Sequence, residues 1–112
     1  MNRLIQGVFT ALLMLLMAPG IGQAATSSEG EALFQQHCAA CHINGGNIIR
    51  RGKTLKLKAL ERQGITSVDA IAQIAREGVG QMSGYGDVLG LDGDQLVAEW
   101  IWKQAQNAWI QG

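Results

Sequence analysis

Two cysteines and a histidine stand together in the string Cys38-Ala39-Ala40-Cys41-His42. Cys-x-x-Cys-His is the attachment signature of c-type haem. Each thiol adds across one haem vinyl group and becomes a thioether. A two-residue spacer on a helical turn matches the reach between those vinyls. The histidine directly after the second cysteine then lies under the iron and offers an imidazole nitrogen. Three plainer chemistries use the same pair. A thioredoxin-like redox couple expects strand-helix-strand surroundings, which this sequence does not offer. A zinc site needs a separate second pair of Cys or His to complete a tetrahedron, and the chain has none outside residues 37–42. A structural disulfide is the third. The adjacent histidine and the surrounding sequence favour haem.

A haem iron bound on one side by His42 has a second axial position, whose occupant decides between electron transfer and small-molecule binding. Of four methionines, Met1, Met14 and Met17 lie in the N-terminal segment, which leaves Met82. It stands in a stretch with five glycines, Gly78, Gly80, Gly84, Gly86 and Gly90, forty residues beyond His42. Such a loop can fold over the opposite haem face and present a thioether. A loop methionine is otherwise just a contact residue. His37, the other histidine, directly precedes Cys38 on the proximal side. Reaching the opposite face would dismantle the haem attachment, so it reads as a surface or packing residue. Tyr85 reads as a contact to the haem edge rather than a ligand.

These residues need a scaffold, and the N-terminus limits its size. A weakly basic start, Asn2-Arg3, precedes a charge-free run from Leu4 to Ala18 rich in Leu and Met. Pro19-Gly20 breaks it, and Gly22-Gln23-Ala24-Ala25 supplies small residues suited to cleavage. This is the form of a secretory signal peptide. The run is shorter than the ~20 residues that span a bilayer. The expected division is a cleaved leader over residues 1–25, cut after Ala24 or Ala25, and a monohaem domain over 26–112. A domain that small is marginal on its own core, and an attached haem supplies apolar surface for helices to pack on. Export agrees with haem c, which is attached outside the cytoplasm, in the periplasm or an organellar lumen. No membrane span is expected in the mature chain.

Every mature segment reads as helix or loop. Ser28-Glu29-Gly30-Glu31 is a capping box that predicts a helix from Ser28 into the haem motif. Asn44-Gly45-Gly46-Asn47 predicts a tight turn, and Ile48 to Lys53 a loop. Leu55, Leu57 and Leu60 predict a short helix closing before Gly64. Another begins near Ser67, with Asp69 in its first turn, and ends at Gly78. Asp92 reads as the N-cap of the last helix, with Gln95 completing a capping box and Leu91 stapled to Leu96. Leu96, Val97, Trp100, Ile101 and Ala105 mark its buried stripe. Phe34 and Trp100 read as core. Trp102 and Trp109, on other faces of that helix, either cover haem or face a partner.

Formal net charge is zero, and near minus one without Arg3, which excludes nucleic-acid binding by bulk charge. Arg50, Arg51, Lys53, Lys56, Lys58 and Arg62 nevertheless crowd one stretch, interrupted only by Glu61. The stretch is either a solvated face or a docking patch for an acidic partner.

The pattern Gly30-x-x-x-Phe34-x-x-x-Cys38-Ala-Ala-Cys41-His42, the Met82 loop, and Val97-Ala98-Glu99-Trp100-Ile101-Trp102-Lys103-Gln104-Ala105 resemble a class I cytochrome c. More narrowly, they look like the small photosynthetic cytochromes of cyanobacteria and algae, the cytochrome c-six type. The resemblance implies an all-α fold of about four helices around one covalently attached haem c. It implies crossing of the first and last helices through Gly30, Phe34 and Trp100. It implies an exported electron carrier, not an enzyme, held in the thylakoid lumen or periplasm. Its covalent haem contacts would be Cys38 and Cys41, and its axial ligands His42 and Met82. The implied partners are redox proteins: the cytochrome b-f complex, photosystem I or a terminal oxidase. Two departures stand out. The family commonly has Met-Pro in the ligand loop, whereas Ser83 follows Met82, which predicts a looser loop. Ile74 falls where the typical member carries a glutamine near haem, as in the divergent, lower-potential branches. The alternative reading is a haem sensor or peroxidase-like domain with a labile Met82.

Overall fold

A computed structural model describes residues 24–110, with side chains from Glu29 onward. The expected leader lies outside the described residues except for Ala24 and Ala25, which open the first helix. That helix, α1, spans Ala24–His37. It passes through Ser28 rather than starting there, so the Ser28 capping box is not the helix start. Its last turn runs straight into the haem motif, with the Cys38 and Ala39 amides both donating to the Phe34 carbonyl at 2.8 and 2.9 Å.

A short 3-10 turn, Ile43–Gly45, follows the motif, with Asn44 and Gly45 in left-handed backbone at φ 51° and 77°. This is the tight turn that the Asn and Gly residues predict. Residues 48–53 form a loop ordered by one side chain. Asn47 Oδ1 accepts from the Ile49 and Arg50 amides, and its Nδ2 donates to the Lys53 carbonyl. Helix α2 then covers Leu57–Arg62. Helix α3, Val68–Glu77, starts where Ser67 Oγ accepts from the Ala70 amide at 3.1 Å and ends at Gly78 (φ 81°). The start near Ser67, with Asp69 in the first turn, is the expected one.

The glycine-rich stretch contains more order than a loop. Two-residue strands β1, Gly78–Val79, and β2, Met82–Ser83, pair antiparallel, with Gly78 opposite Ser83 and Val79 opposite Met82. A four-residue helix, α4, covers Gly86–Leu89. The last helix, α5, spans Gly93–Gln106.

The start of α5 corrects two expectations. Asp92 is left-handed (φ 62°) and its side chain caps nothing. Gln95 reaches instead to Asp69 on α3 at 3.3 Å. Leu91 is 95% exposed, so it cannot staple to Leu96. The cause is local. Gly90 (φ 72°) and Asp92 flank Leu91 with left-handed turns that aim it outward.

The core gathers Phe34 from α1, Leu60 from α2, Ile71, Ala72 and Ala75 from α3, and Val97, Ala98, Trp100, Ile101 and Ala105 from α5. Leu96 is only half-buried. Phe34 and Trp100 pack with ring centroids 4.8 Å apart. Trp109 corrects a further expectation. It lies beyond the end of α5, turned back into the core, 5.5 Å from Phe34 and edge-on to Trp100 at 5.7 Å. Among the described residues the result is an all-α domain of five helices with one short hairpin.

Candidate functional site

Cys38, Cys41 and His42 occupy a single turn that continues α1. The Cys41 and His42 amides donate to the Cys38 carbonyl at 3.2 and 3.0 Å. All three side chains are half-buried, and the thiols are not joined. Burial, with help from the nearby Cys41, pushes the Cys38 thiol up to about 11. A dithiol redox couple works the other way, through a thiol lowered toward or below neutrality. Among the described residues no three or more His, Cys, Asp or Glu side chains are grouped to hold a metal ion by themselves. Neither feature favours dithiol redox chemistry or zinc.

His42 is fixed by its neighbour. Its Nδ1 lies 2.8 Å from the Gly46 carbonyl oxygen. A carbonyl only accepts, so Nδ1 carries the proton and Nε2 keeps its lone pair free for a metal. The turn after the motif supplies that carbonyl: the Gly45 amide donates to His42 O and the Gly46 amide to Ile43 O. The Ile48 amide returns to Cys41 O at 3.0 Å, which ties the Asn47 loop to the motif.

Met82 arrives from a separate element. It is half-buried on β2, while its partner Val79 is 58% exposed. Glycines close the base of the hairpin against α3. A β-carbon on Gly78 would sit 2.5 Å from Met82 O, and one on Gly84 would sit 2.6 Å from Arg76 O. The Tyr85 amide donates to Ala75 O at 2.8 Å. Tyr85 then brings this segment to the motif, its ring centroid 6.3 Å from that of His37. His37 is thus a packing residue against Tyr85. The structure unites Cys38, Cys41 and His42 directly and links the Met82 segment to them through Tyr85.

Leu33, Cys38, Ala39, Leu55, Leu57, Ile65, Val68, Tyr85 and Trp102 pack on the core yet stay partly exposed. Two half-buried thiols and an oriented imidazole on one turn fit a ring system bonded through sulfur, which is what haem c presents. Three contacts here had no sequence signal: the Gly46 carbonyl, the Trp109 indole donating to Leu55 O at 3.0 Å, and the Arg76 to Asp94 pair.

Helices crossing through Gly30 and Trp100 above a Cys-x-x-Cys-His turn, with a methionine segment folded back from α3, define the class I c-type cytochromes. Comparison with known proteins narrows the class. A family model described as cytochrome c oxidase, cbb3-type, subunit III matches residues 25–101. A cytochrome c6-like protein of Nostoc sp. (strain PCC 7120) is 41% identical over 96% of this chain and 95% of its own length. The crystal structure of cytochrome c6B from Synechococcus sp. WH8102 is 72% identical, with TM-score 0.75 over 77% of this chain and 98% of that one. Cytochrome c6C from Synechococcus sp. PCC 7002 is 48% identical, with TM-score 0.68 over 70% of this chain and 96% of that one. This chain belongs to the cytochrome c6 family. Its cofactor is one covalently attached haem c.

Proposed function

We propose that this protein is an electron carrier in which Cys38 and Cys41 hold the haem as thioethers and His42 and Met82 are the axial ligands. The observation that carries this reading is the 2.8 Å contact from His42 Nδ1 to the Gly46 carbonyl. It fixes the tautomer, aims Nε2 away from the turn, and makes the imidazole a stronger donor. When bound, the haem supplies one-electron chemistry between its ferric and ferrous forms. The chain's own part is to hold both ligands still and exclude water with the surrounding apolar side chains. With His42 and Met82 holding the iron, the haem would offer no open site to a substrate, and the protein would act as a carrier rather than an enzyme.

The reading extends to place and partners. The signal-like N-terminus over 1–25 supports export to the thylakoid lumen or periplasm. Among the described residues no helix is long and apolar enough to cross a membrane. The partners are redox proteins of the kind that exchange electrons with this family: the cytochrome b-f complex and photosystem I or a terminal oxidase.

Met82→Ala tests the ligand set. The variant should keep covalent haem, lose the weak long-wavelength ferric band of methionine ligation, and bind carbon monoxide when reduced. A variant that keeps the band and refuses carbon monoxide removes Met82 from the ligand set. Wild-type protein that already binds carbon monoxide would point to the sensor or peroxidase-like alternative.

A further inference from the structure

The chain beyond α5 is bent in an unusual way. Ala108 and Trp109 are both left-handed, at φ 54° and 58°. Neither is glycine or asparagine, so both hold strained left-handed backbone. Asn107 braces the bend by donating from its side chain to Ile110 O at 3.2 Å. The bend places the indole of Trp109 where three things meet. It packs on Phe34 and Trp100. Its Nε1 donates to Leu55 O at 3.0 Å. Its ring sits close against Gly45, where a β-carbon would come within 2.3–2.5 Å of three indole atoms.

Leu55 closes a circuit. Its amide donates to Gly45 O at 2.7 Å while its carbonyl accepts from Trp109. Gly45 is therefore held on one side by the indole face and on the other by Leu55, which the same indole holds. The next residue is Gly46, whose carbonyl takes the His42 ring proton.

We propose that Trp109 is a positioning residue for His42, a latch from the far end of the chain that fixes the Gly45–Gly46 peptides and thereby the hydrogen bond to His42 Nδ1. The proposal rests on His42 being an axial ligand. A well-held Nδ1–H bond makes the imidazole more basic and favours ferric iron. Releasing the latch weakens the bond, favours the ferrous form and raises the midpoint potential.

Trp109→Phe keeps most of the ring and removes the indole donor. In the haem-loaded protein it should raise the midpoint potential and speed solvent exchange of the His42 ring proton, followed by NMR, by about tenfold, the effect of losing one hydrogen bond. A variant with lowered melting temperature but unchanged potential and unchanged exchange would reduce Trp109 to a core residue and overturn the latch. Wild-type holoprotein gives a second test if the variant does not assemble. The Trp109 indole proton and the His42 ring proton should exchange together across temperature. Independent exchange of the two overturns the proposal. His42 ring signals shifted by the iron report ligation itself, so their absence would fail the ligand assignment rather than the latch.

Discussion

Gly30 and Trp100 meet at the crossing of α1 and α5 with no room for a methyl group. A β-carbon on Gly30 would sit 2.9 Å from Trp100 Cβ and 2.5 Å from the Leu96 carbonyl oxygen. The second neighbour is backbone and cannot rotate away. Gly30→Ala should therefore force the helices apart and destabilise the holoprotein by roughly 1–3 kcal/mol. Denaturant melts of the two proteins measure this, and superimposable curves would mean that the crossing can relax.

The Arg76 to Asp94 pair ties α3 to α5, with Arg76 Nη1 and Asp94 Oδ2 at 2.5 Å. The arginine's hydrogen bond holds the Asp94 carboxyl below the usual carboxylate range. A depressed carboxyl stabilises the fold above its unfolded value of about 3.9 and loses that contribution as pH falls through its folded value. The arginine is largely solvated, so the pair is worth only about 0.2–1 kcal/mol. Asp94→Asn should lower stability by that amount at neutral pH, and the gap should close in strong acid. Parallel pH profiles that never converge would assign the loss to something other than the charge.

Arg50, Arg51, Lys53, Lys56, Lys58 and Arg62 are all exposed. The Asn47 bonds hold the first of them on an ordered loop joined to Cys41. Replacing Arg50 and Arg51 by glutamine should slow association with an acidic redox partner by roughly tenfold at low ionic strength. The difference should fade at high salt, where charges beyond a Debye length are screened. Equal rates at low salt would make the stretch a plain solvated face.

Ile74 is half-buried on α3, and its carbonyl accepts from the Gly78 amide at the entrance to the Met82 hairpin. The family resemblance implies that a glutamine there would lie near haem, with the donor end of its amide toward the ring. Ferric haem carries one more positive charge than ferrous, so that dipole disfavours oxidation. Ile74→Gln should raise the midpoint potential and leave the methionine band intact. A fall would mean that water exclusion by the isoleucine dominates, and no change would move the tuning elsewhere.

What could be read from the sequence was local. The Cys-x-x-Cys-His turn and the helix start near Ser67 each lie within a few residues of their partners, so type and spacing suffice. The Asp92 cap failed although its letters were right, because the rule assumes extended backbone and Asp92 is left-handed beside Gly90. The hairpin at Met82 was hidden because its two-residue strands are too short to show alternation. Trp109 was misplaced for a different reason. Its position depends on a chain reversal at Ala108 and on Leu55, 54 residues away, and no periodicity within α5 encodes either.

The short ladder carrying Met82 bears on how fast such a centre can exchange charge. A ligand on an unpaired loop drifts when the iron gains or loses an electron, and each drift adds to the reorganisation that must precede transfer. Met82 has Val79 opposite it and a hairpin base shut by Gly78 and Gly84. With Met82 as the distal ligand, that bracing would limit how far the thioether shifts between oxidation states, and more of the barrier would lie with water at the surface and the partner across it.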